Sequence, residues 1–247
     1  MKIGVSTLAL AEHSISEILE YLEDIGADYC EIINEYPMAD VEVTDSYSIG
    51  FTVHAPISDI NIASLNDRVR DASVREVMRS VDLAADIGAD VLVVHPGLVP
   101  FLGRRYSGRI MERNMESLRE IVDYGEERGV GVFPENMPRL EGPLMRDLDE
   151  LWGAVEELDT MVTLDVAHAA TMGYGVDEMV TGRVGHVHLS DNDRETDSHD
   201  ALGEGSIDFR GLLDKLEDHG YRGVLTVEVK NTREIESSIE FLRRIIH

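Results

Sequence analysis

At 247 residues, 43% of them hydrophobic, the chain has the length and apolar content for one large domain, and α/β barrels of this size run without splitting. Its 49 acidic against 22 basic residues give a formal net charge of -27, which argues against the broad cationic footprint on which nucleic-acid affinity rests. No apolar run reaches the roughly 18 residues needed to span a bilayer, and the single cysteine, Cys30, excludes an intrachain disulfide. The start, Met1-Lys2-Ile3-Gly4-Val5-Ser6, is too soon polar for a signal peptide. The expectation is a cytoplasmic protein with no membrane association. Its acidic surface suits a salt-rich cytosol, where repulsion is screened over about 10 Å or less. A DNA substrate is disfavoured and would need a local cationic patch.

In order, β-branched runs alternate with amphipathic segments. A first strand is expected at Ile3–Ser6. The capping box Ser14-Ile15-Ser16-Glu17 then opens a helix whose Ile18, Leu19, Leu22 and Ile25 share one face. Asp24-Ile25-Gly26-Ala27-Asp28 ends it and leads into a strand at Tyr29–Ile33. The same phrase, Asp86-Ile87-Gly88-Ala89-Asp90, follows a helix over Asp67–Ile87 and leads into Val91–His95. Helix, glycine cap and β-branched run form the grammar of an α-to-β joint. Further strands are expected at Gly50–His54, Val130–Glu135, Met161–Asp165, Val184–Leu189 and Val224–Glu228. Further helices are expected at Arg109–Arg128, Asp147–Leu158, Asp208–His219 and Ile235–Ile246, with short crossovers near Asp40–Tyr47 and Val176–Thr181. Eight strands alternating with helices predict a (β/α)8 TIM barrel, one domain over residues 1–247.

The polar residues at the strand ends then gain meaning, because all such ends face one mouth in a barrel. They are His54, His95, Glu135, Asp165 with His168, His188, the loop residues Asp197 and His199, and Glu228. A lone histidine there is readily a packed side chain bonded to backbone. Glu135, Asp165 and Glu228 are different, since a buried unpaired carboxylate costs on the order of several kcal/mol. No lysine or arginine lies within those strands, and Lys230, two positions past Glu228, is the nearest cation. Divalent metal is the economical neutraliser. His186 lies two residues before His188, on the same side and deeper, and reads as its support. His13, His219 and His247 read as surface residues, Cys30 as a small buried hydrophobe, and Trp152 as helix packing.

These residues resemble the xylose isomerase-like barrels, and within them endonuclease IV, the family-2 apurinic/apyrimidinic endonucleases. The likeness spans essentially the whole chain. It is carried by His54-Ala55-Pro56, His95-Pro96-Gly97, Glu135-Asn136, Asp165-x-x-His168, His188-Leu189-x-Asp191 and Asp197-x-His199-x-x-Leu202-Gly203-Glu204-Gly205. It implies three zinc-type ions. His54, His95 and Glu135 would hold one; Glu135, Asp165, His188 and Glu228 a second; His168, Asp197 and His199 a third. Glu135, Glu228 and Asp165 would carry the catalysis, a phosphodiester hydrolysis at abasic sites in DNA. The alternative within the same resemblance is a sugar or sugar-phosphate isomerase or epimerase using one ion, zinc, manganese or another, at the second set. A third reading is a non-catalytic metal-binding barrel.

Departures from the nuclease pattern favour the alternative. Ile57 stands where an aromatic wedge is usual, the loop after the second strand is acidic (Glu35, Asp40, Glu42), and Glu31 is similar to the sugar-isomerase relatives. Pro134 removes a ladder donor near the end of the fifth strand. The one cationic cluster, Arg104, Arg105, Arg109 and Arg113 beside Phe101 and Tyr106, fits either a phosphate-bearing substrate or a solvated face. Arg104, Arg105, Tyr106, Lys230 and His186 are therefore the candidate substrate residues. Nothing in the sequence sets an oligomeric state.

Overall fold

The β-branched runs become eight parallel strands in a computed structural model that describes residues 1–36 and 41–246. They are β1 (Lys2–Ser6), β2 (Tyr29–Ile33), β3 (Gly50–His54), β4 (Val91–Val94), β5 (Gly131–Pro134), β6 (Val162–Asp165), β7 (Val184–Leu189) and β8 (Val224–Val227). They pair in the order β5-β4-β3-β2-β1-β8-β7-β6. The remaining seam, between β5 and β6, is joined by one parallel bridge, Glu135 to Thr163. The result is the single-domain TIM barrel read from the sequence, with each boundary within about a residue of expectation.

The helices are α1 (Ile15–Asp24), α2 (Asp67–Asp86), α3 (Ser107–Glu126), α4 (Leu148–Leu158), α5 (Val166–Thr171), α6 (Val176–Met179), α7 (Phe209–Asp218) and α8 (Thr232–Ile245). Ser14 and Glu17 form the predicted capping box. Gly26 and Gly88 take φ of 72° and 71°, the left-handed turn that lets each helix stop and the next strand begin. Val77, Val81, Leu118, Ile121, Leu151 and Val155 are fully buried and seat α2, α3 and α4 on the barrel wall. Truncating any of the larger ones to alanine would cost about 2–5 kcal/mol.

Three features depart from expectation. The second crossover holds only a 3-10 turn at Thr44–Ser46, and Asp40 lies outside the described residues, as does His247. α8 starts three residues early because Asn231 caps it through the Glu234 N–H. An unpredicted helix, α5, follows β6 without a break. No helix among the described residues is long and apolar enough to cross a membrane.

Candidate metal centre

Parallel strands bring their C-terminal ends to one rim, and there the histidines are aimed by backbone carbonyls. His54 Nδ1 lies 2.6 Å from the Ala55 carbonyl, His168 Nδ1 2.8 Å from that of Asn136, and His199 Nδ1 3.0 Å from that of Glu228. Each contact engages one ring nitrogen and leaves Nε2 facing the mouth. His188 is turned the other way. Its Nε2 lies 2.9 Å from Glu31 Oε1, and its Nδ1 lies 3.2 Å from Glu135 and 3.3 Å from Glu228.

The spacing Asp165-x-x-His168 has a local cause. Asp165 is the N-cap of α5, and its Oδ1 accepts the His168 N–H at 2.7 Å. This uses one carboxylate oxygen and leaves Oδ2 buried without a hydrogen bond. Asn136 clamps the same residue across the weak seam: its Oδ1 accepts the Asp165 N–H and its Nδ2 donates to the Asp165 carbonyl, both at 2.8 Å. The amide side chain thus replaces a missing ladder step.

Asp191 builds the loop that delivers Asp197 and His199. Its carboxylate accepts N–H groups from Gly203 and Gly205 at 2.9 Å and from Ile207 at 3.2 Å. A Cβ at Gly205 would sit 2.3 Å from Asp191 Oδ1, so only glycine permits this approach. The loop also holds His199 at φ 46°, an uncommon conformation for a non-glycine residue. From α3, Asn114 accepts the Gly97 N–H at 2.7 Å and fixes the turn after His95.

Three donor groups result: His54, His95 and Glu135; Glu135, Asp165, His188 and Glu228; and His168, Asp197 and His199. Within each, one ligand atom per residue lies within 4.8 Å of the others. Glu135 joins the first two, with Oε2 3.3 Å from His54 and 3.1 Å from His95, and Oε1 3.2 Å from His188. In the third, Asp197 Oδ2 lies 3.2 Å from His168 and 3.4 Å from His199. A tetrahedral ion with bonds of about 2.0–2.1 Å sets its donors roughly 3.3 Å apart. The residues fit divalent ions on that spacing, on the buried free oxygens Asp165 Oδ2 and Asp197 Oδ1, and on the oxygen-nitrogen donor set.

A fourth group, Glu31, His186 and His188, lies deeper. His186 Nε2 is 2.8 Å from Glu31 Oε2, which also accepts from Thr52 at 3.0 Å. These separations are hydrogen-bonding lengths, shorter than an ion sets, so Glu31 acts as a support for the histidines rather than as a ligand. Thr226 adds a contact of 3.1 Å to His186 Nε2. Glu31 had a signal in the sequence, an acidic residue inside an apolar strand, but its partners were 155 residues away.

The electrostatics follow from burial. Glu31, Glu135, Asp165, Asp197 and Glu228 converge with histidines as their only ion-pair partners among the described residues. Burial opposes ionisation of Glu135, but His188 and His95 outweigh it and hold its carboxyl well below the usual range. Asp165 has weaker compensation, and burial lifts it to about 6. Burial pulls His168 down, yet Asp165 and Asp197 outweigh it and raise it to about 10. His199 rises to about 9 in the same way, through Asp197 and Glu228. Without ions, protons on these rings supply the neutralising charge.

The candidate substrate residues scatter. Lys230 Nζ lies 2.6 Å from Asp200, half-exposed, and neutralises none of the five carboxylates. The arginine cluster divides: Arg104 pairs with Glu141 at 2.6 Å, Arg113 with Asp67 at 2.8 Å, and Arg105 lies over the Tyr106 ring. His186 is buried beneath His188, out of reach of the mouth. Glu35 accepts the Ile57 and Ser58 N–H groups at 2.9 and 2.7 Å, so this acid ties two loops together.

The profile of a family described as xylose isomerase-like TIM barrel matches residues 19–245. The uncharacterized protein MJ1311 of Methanocaldococcus jannaschii is 35% identical over 265 residues, covering 100% of this chain and 89% of its own. A probable endonuclease 4 of Mycobacterium leprae is 32% identical over 221 residues, 81% of this chain and 84% of its own. Among solved structures, a D-tagatose 3-epimerase-like protein superposes with a TM-score of 0.89 at 34% identity, covering 99% and 97% of the two chains. A D-allulose 3-epimerase from Methylomonas sp. has a TM-score of 0.84 at 17% identity, a likeness of fold alone.

Proposed function

Because the chain belongs to the xylose isomerase-like TIM-barrel family, whose members use divalent metal, we propose that it is a multi-metal phosphoester hydrolase of the endonuclease 4 kind. The observation that carries this reading is the assembly of all three donor groups, two of them sharing Glu135. A reaction needing one ion would leave His54, His95, His168, Asp197 and His199 without use. Ions at these groups would polarise phosphoryl oxygens and lower the pKa of a bound water. The chain's own part is positional. Glu135, held ionised, presents one oxygen to each of two groups. Asp165 and Glu228 border the second group, where Glu228 would accept a proton from a water that the ions activate. Asp191 and Asn136 keep the loops and seam in register.

A sugar epimerase is the second reading, favoured by Glu31 beneath His188 and by the 34% identity to the D-tagatose 3-epimerase-like protein. Glu135 and Glu228 would then move a proton at a carbon next to a carbonyl. Elemental analysis of chelator-free protein separates the two, paired with assays on an abasic-site duplex and on D-tagatose. Near three equivalents of metal and strand cleavage are expected. One equivalent with D-tagatose turnover would transfer the assignment to the epimerase.

A further inference from the structure

Among the described residues ten large apolar side chains are exposed, and five of them stand on the two loops after β4 and β5: Leu98, Phe101, Leu102, Tyr106 and Leu140. Phe101 is 75% and Leu102 85% exposed, while the loops after β6, β7 and β8 contribute no such residue. Scattered singly, exposed apolar side chains need no explanation; gathered on one feature they mark a contact surface.

The two loops form one built feature. Leu98 and Pro143 make an antiparallel bridge, Val99 N–H donates to the Gly142 carbonyl at 2.8 Å, and Leu144 N–H donates to that of Gly97 at 3.1 Å. Arg104 pairs with Glu141 across them at 2.6 Å. Arginine also backs both rings. The Arg104 guanidinium lies 4.8 Å from the Phe101 ring centre, and that of Arg105 lies 4.8 Å from the Tyr106 ring centre. Each pair orients an aromatic anchor before any partner arrives.

Charge singles out the same place. From Val91 to Met111 the chain has no carboxylate, its longest such run, and holds three arginines. Residues 136–146 add Arg139 and Arg146 against Glu141 alone. Asp147 and Glu150, at the start of α4, are engaged by the backbone N–H groups of Asp149, Glu150 and Met145. Two copies of a chain with net charge -27 repel one another, and the repulsion is least where acids are fewest. An anionic bilayer would meet the same repulsion over a wider area. Exposed aromatic rings, arginines and few carboxylates are also the composition of a protein interface. The five apolar side chains expose on the order of 500 Å², and the arginines and backbone around them bring the face near the roughly 800 Å² per partner of a stable complex.

We propose that these joined loops are the contact through which two copies of the chain associate, with Phe101 and Leu102 of each copy packed between them. Leu98 follows His95 by three positions, so the second copy would stand at the edge of the barrel mouth and narrow access from that side. Such a contact is independent of which reaction the mouth performs.

Sedimentation equilibrium of the metal-loaded protein tests this. A species of twice 27.5 kDa is expected, with a dissociation constant on the order of 10 μM that falls as salt is raised to about 1 M, because screening weakens the repulsion and leaves the apolar burial. Phe101→Ser with Leu102→Ser should raise that constant about a hundredfold. Both side chains are exposed in the single chain, so the far-UV circular dichroism of the variant should match that of the parent. Hydrogen exchange over residues 97–106 and 139–143 should slow as protein concentration rises, and over α8 it should not. A monomer up to about 100 μM, an unchanged dissociation constant in the double variant, or exchange that slows only over α8 would overturn the proposal. In the first case, flotation of the monomer with anionic vesicles would give the face to a membrane instead.

Discussion

At the residue scale, Glu31 and Glu135 have separable tasks. Glu135 faces two donor groups, so Glu135→Ala should remove more than one equivalent of metal; loss of a single equivalent would count against a shared ligand. Glu31 reaches the centre only through His188 and His186. Glu31→Gln keeps the shape but can offer an N–H to His188 Nε2 in place of the carboxylate, which disturbs the tautomer that points a free Nδ1 at Glu135 and Glu228. Metal affinity should fall by about 10–100-fold, read by competition with a chelator, while Glu31→Ala should also destabilise the fold. Unchanged affinity in both variants would leave Glu31 as packing alone. Protonation adds a further expectation. His168 and His199, raised to about 10 and about 9, are charged at neutral pH in the ion-free protein. Ion binding requires their neutral rings, so apparent metal affinity should climb with pH until about 9–10. Their contribution to ion-free stability has the opposite slope. It is complete below the unfolded pKa of about 6.5 and is lost as pH rises through the folded values. Titration calorimetry in buffers of different ionisation enthalpy would show the released protons, and an absence of proton release at pH 7 would refute the charged state.

At the element scale, the barrel ladder is thinnest where β5 meets β6, joined by one bridge, by the Asn136 clamp and by the Thr160 and Thr163 hydroxyls, which donate to the Val132 and Phe133 carbonyls. Asn136→Ala leaves the Asp165 N–H and carbonyl unpaired in a buried site, each lost partner worth about 1–3 kcal/mol. A lowered Tm together with depleted metal is expected, because the same segment carries Glu135 and Asp165. Asn136→Asp can accept but not donate, so it should recover only part of the loss; full retention of Tm in Asn136→Ala would remove the clamp from the account. The seam also shows what the sequence could and could not convey. Alternation of β-branched runs with capped helices gave eight strands, and parallel strands share one end, so the meeting of His54, His95, Glu135, Asp165, His188 and Glu228 was legible. Pro134 marked the poor ladder but not its remedy, since a side-chain amide bonding across strands leaves no periodic trace. α5 was missed for a similar reason. Asp165 serves at once as strand end and helix cap, and a helix of six residues is too short to show an apolar period. Glu31 finds its histidines through contacts that no local pattern encodes.

At the scale of the whole molecule, 49 acidic residues stand against 22 basic ones, and most of the acids lie outside the barrel mouth. Pairs such as Arg79–Glu76 and Arg119–Glu157 are exposed and contribute little, about 0–1 kcal/mol each. The net repulsion of a charge of -27 is long-ranged, and screening shortens it from about 10 Å at 0.1 M salt to about 3 Å at 1 M. Added potassium chloride should therefore raise the Tm steeply up to about 1 M and more gently above it, once the Debye length falls below the spacing of surface charges. The metal centre should respond differently. Its five carboxylates are mostly buried, and Glu135 is 1% exposed, so bulk salt screens them poorly. Chelation should lower the Tm at every salt concentration by a similar amount, because the repulsion it exposes lies inside the barrel. Differential scanning calorimetry of loaded and chelated protein across a chloride series gives both slopes at once. Parallel rising curves are expected. Curves that converge at high salt would mean that surface charge, rather than the buried carboxylates, sets the dependence on metal.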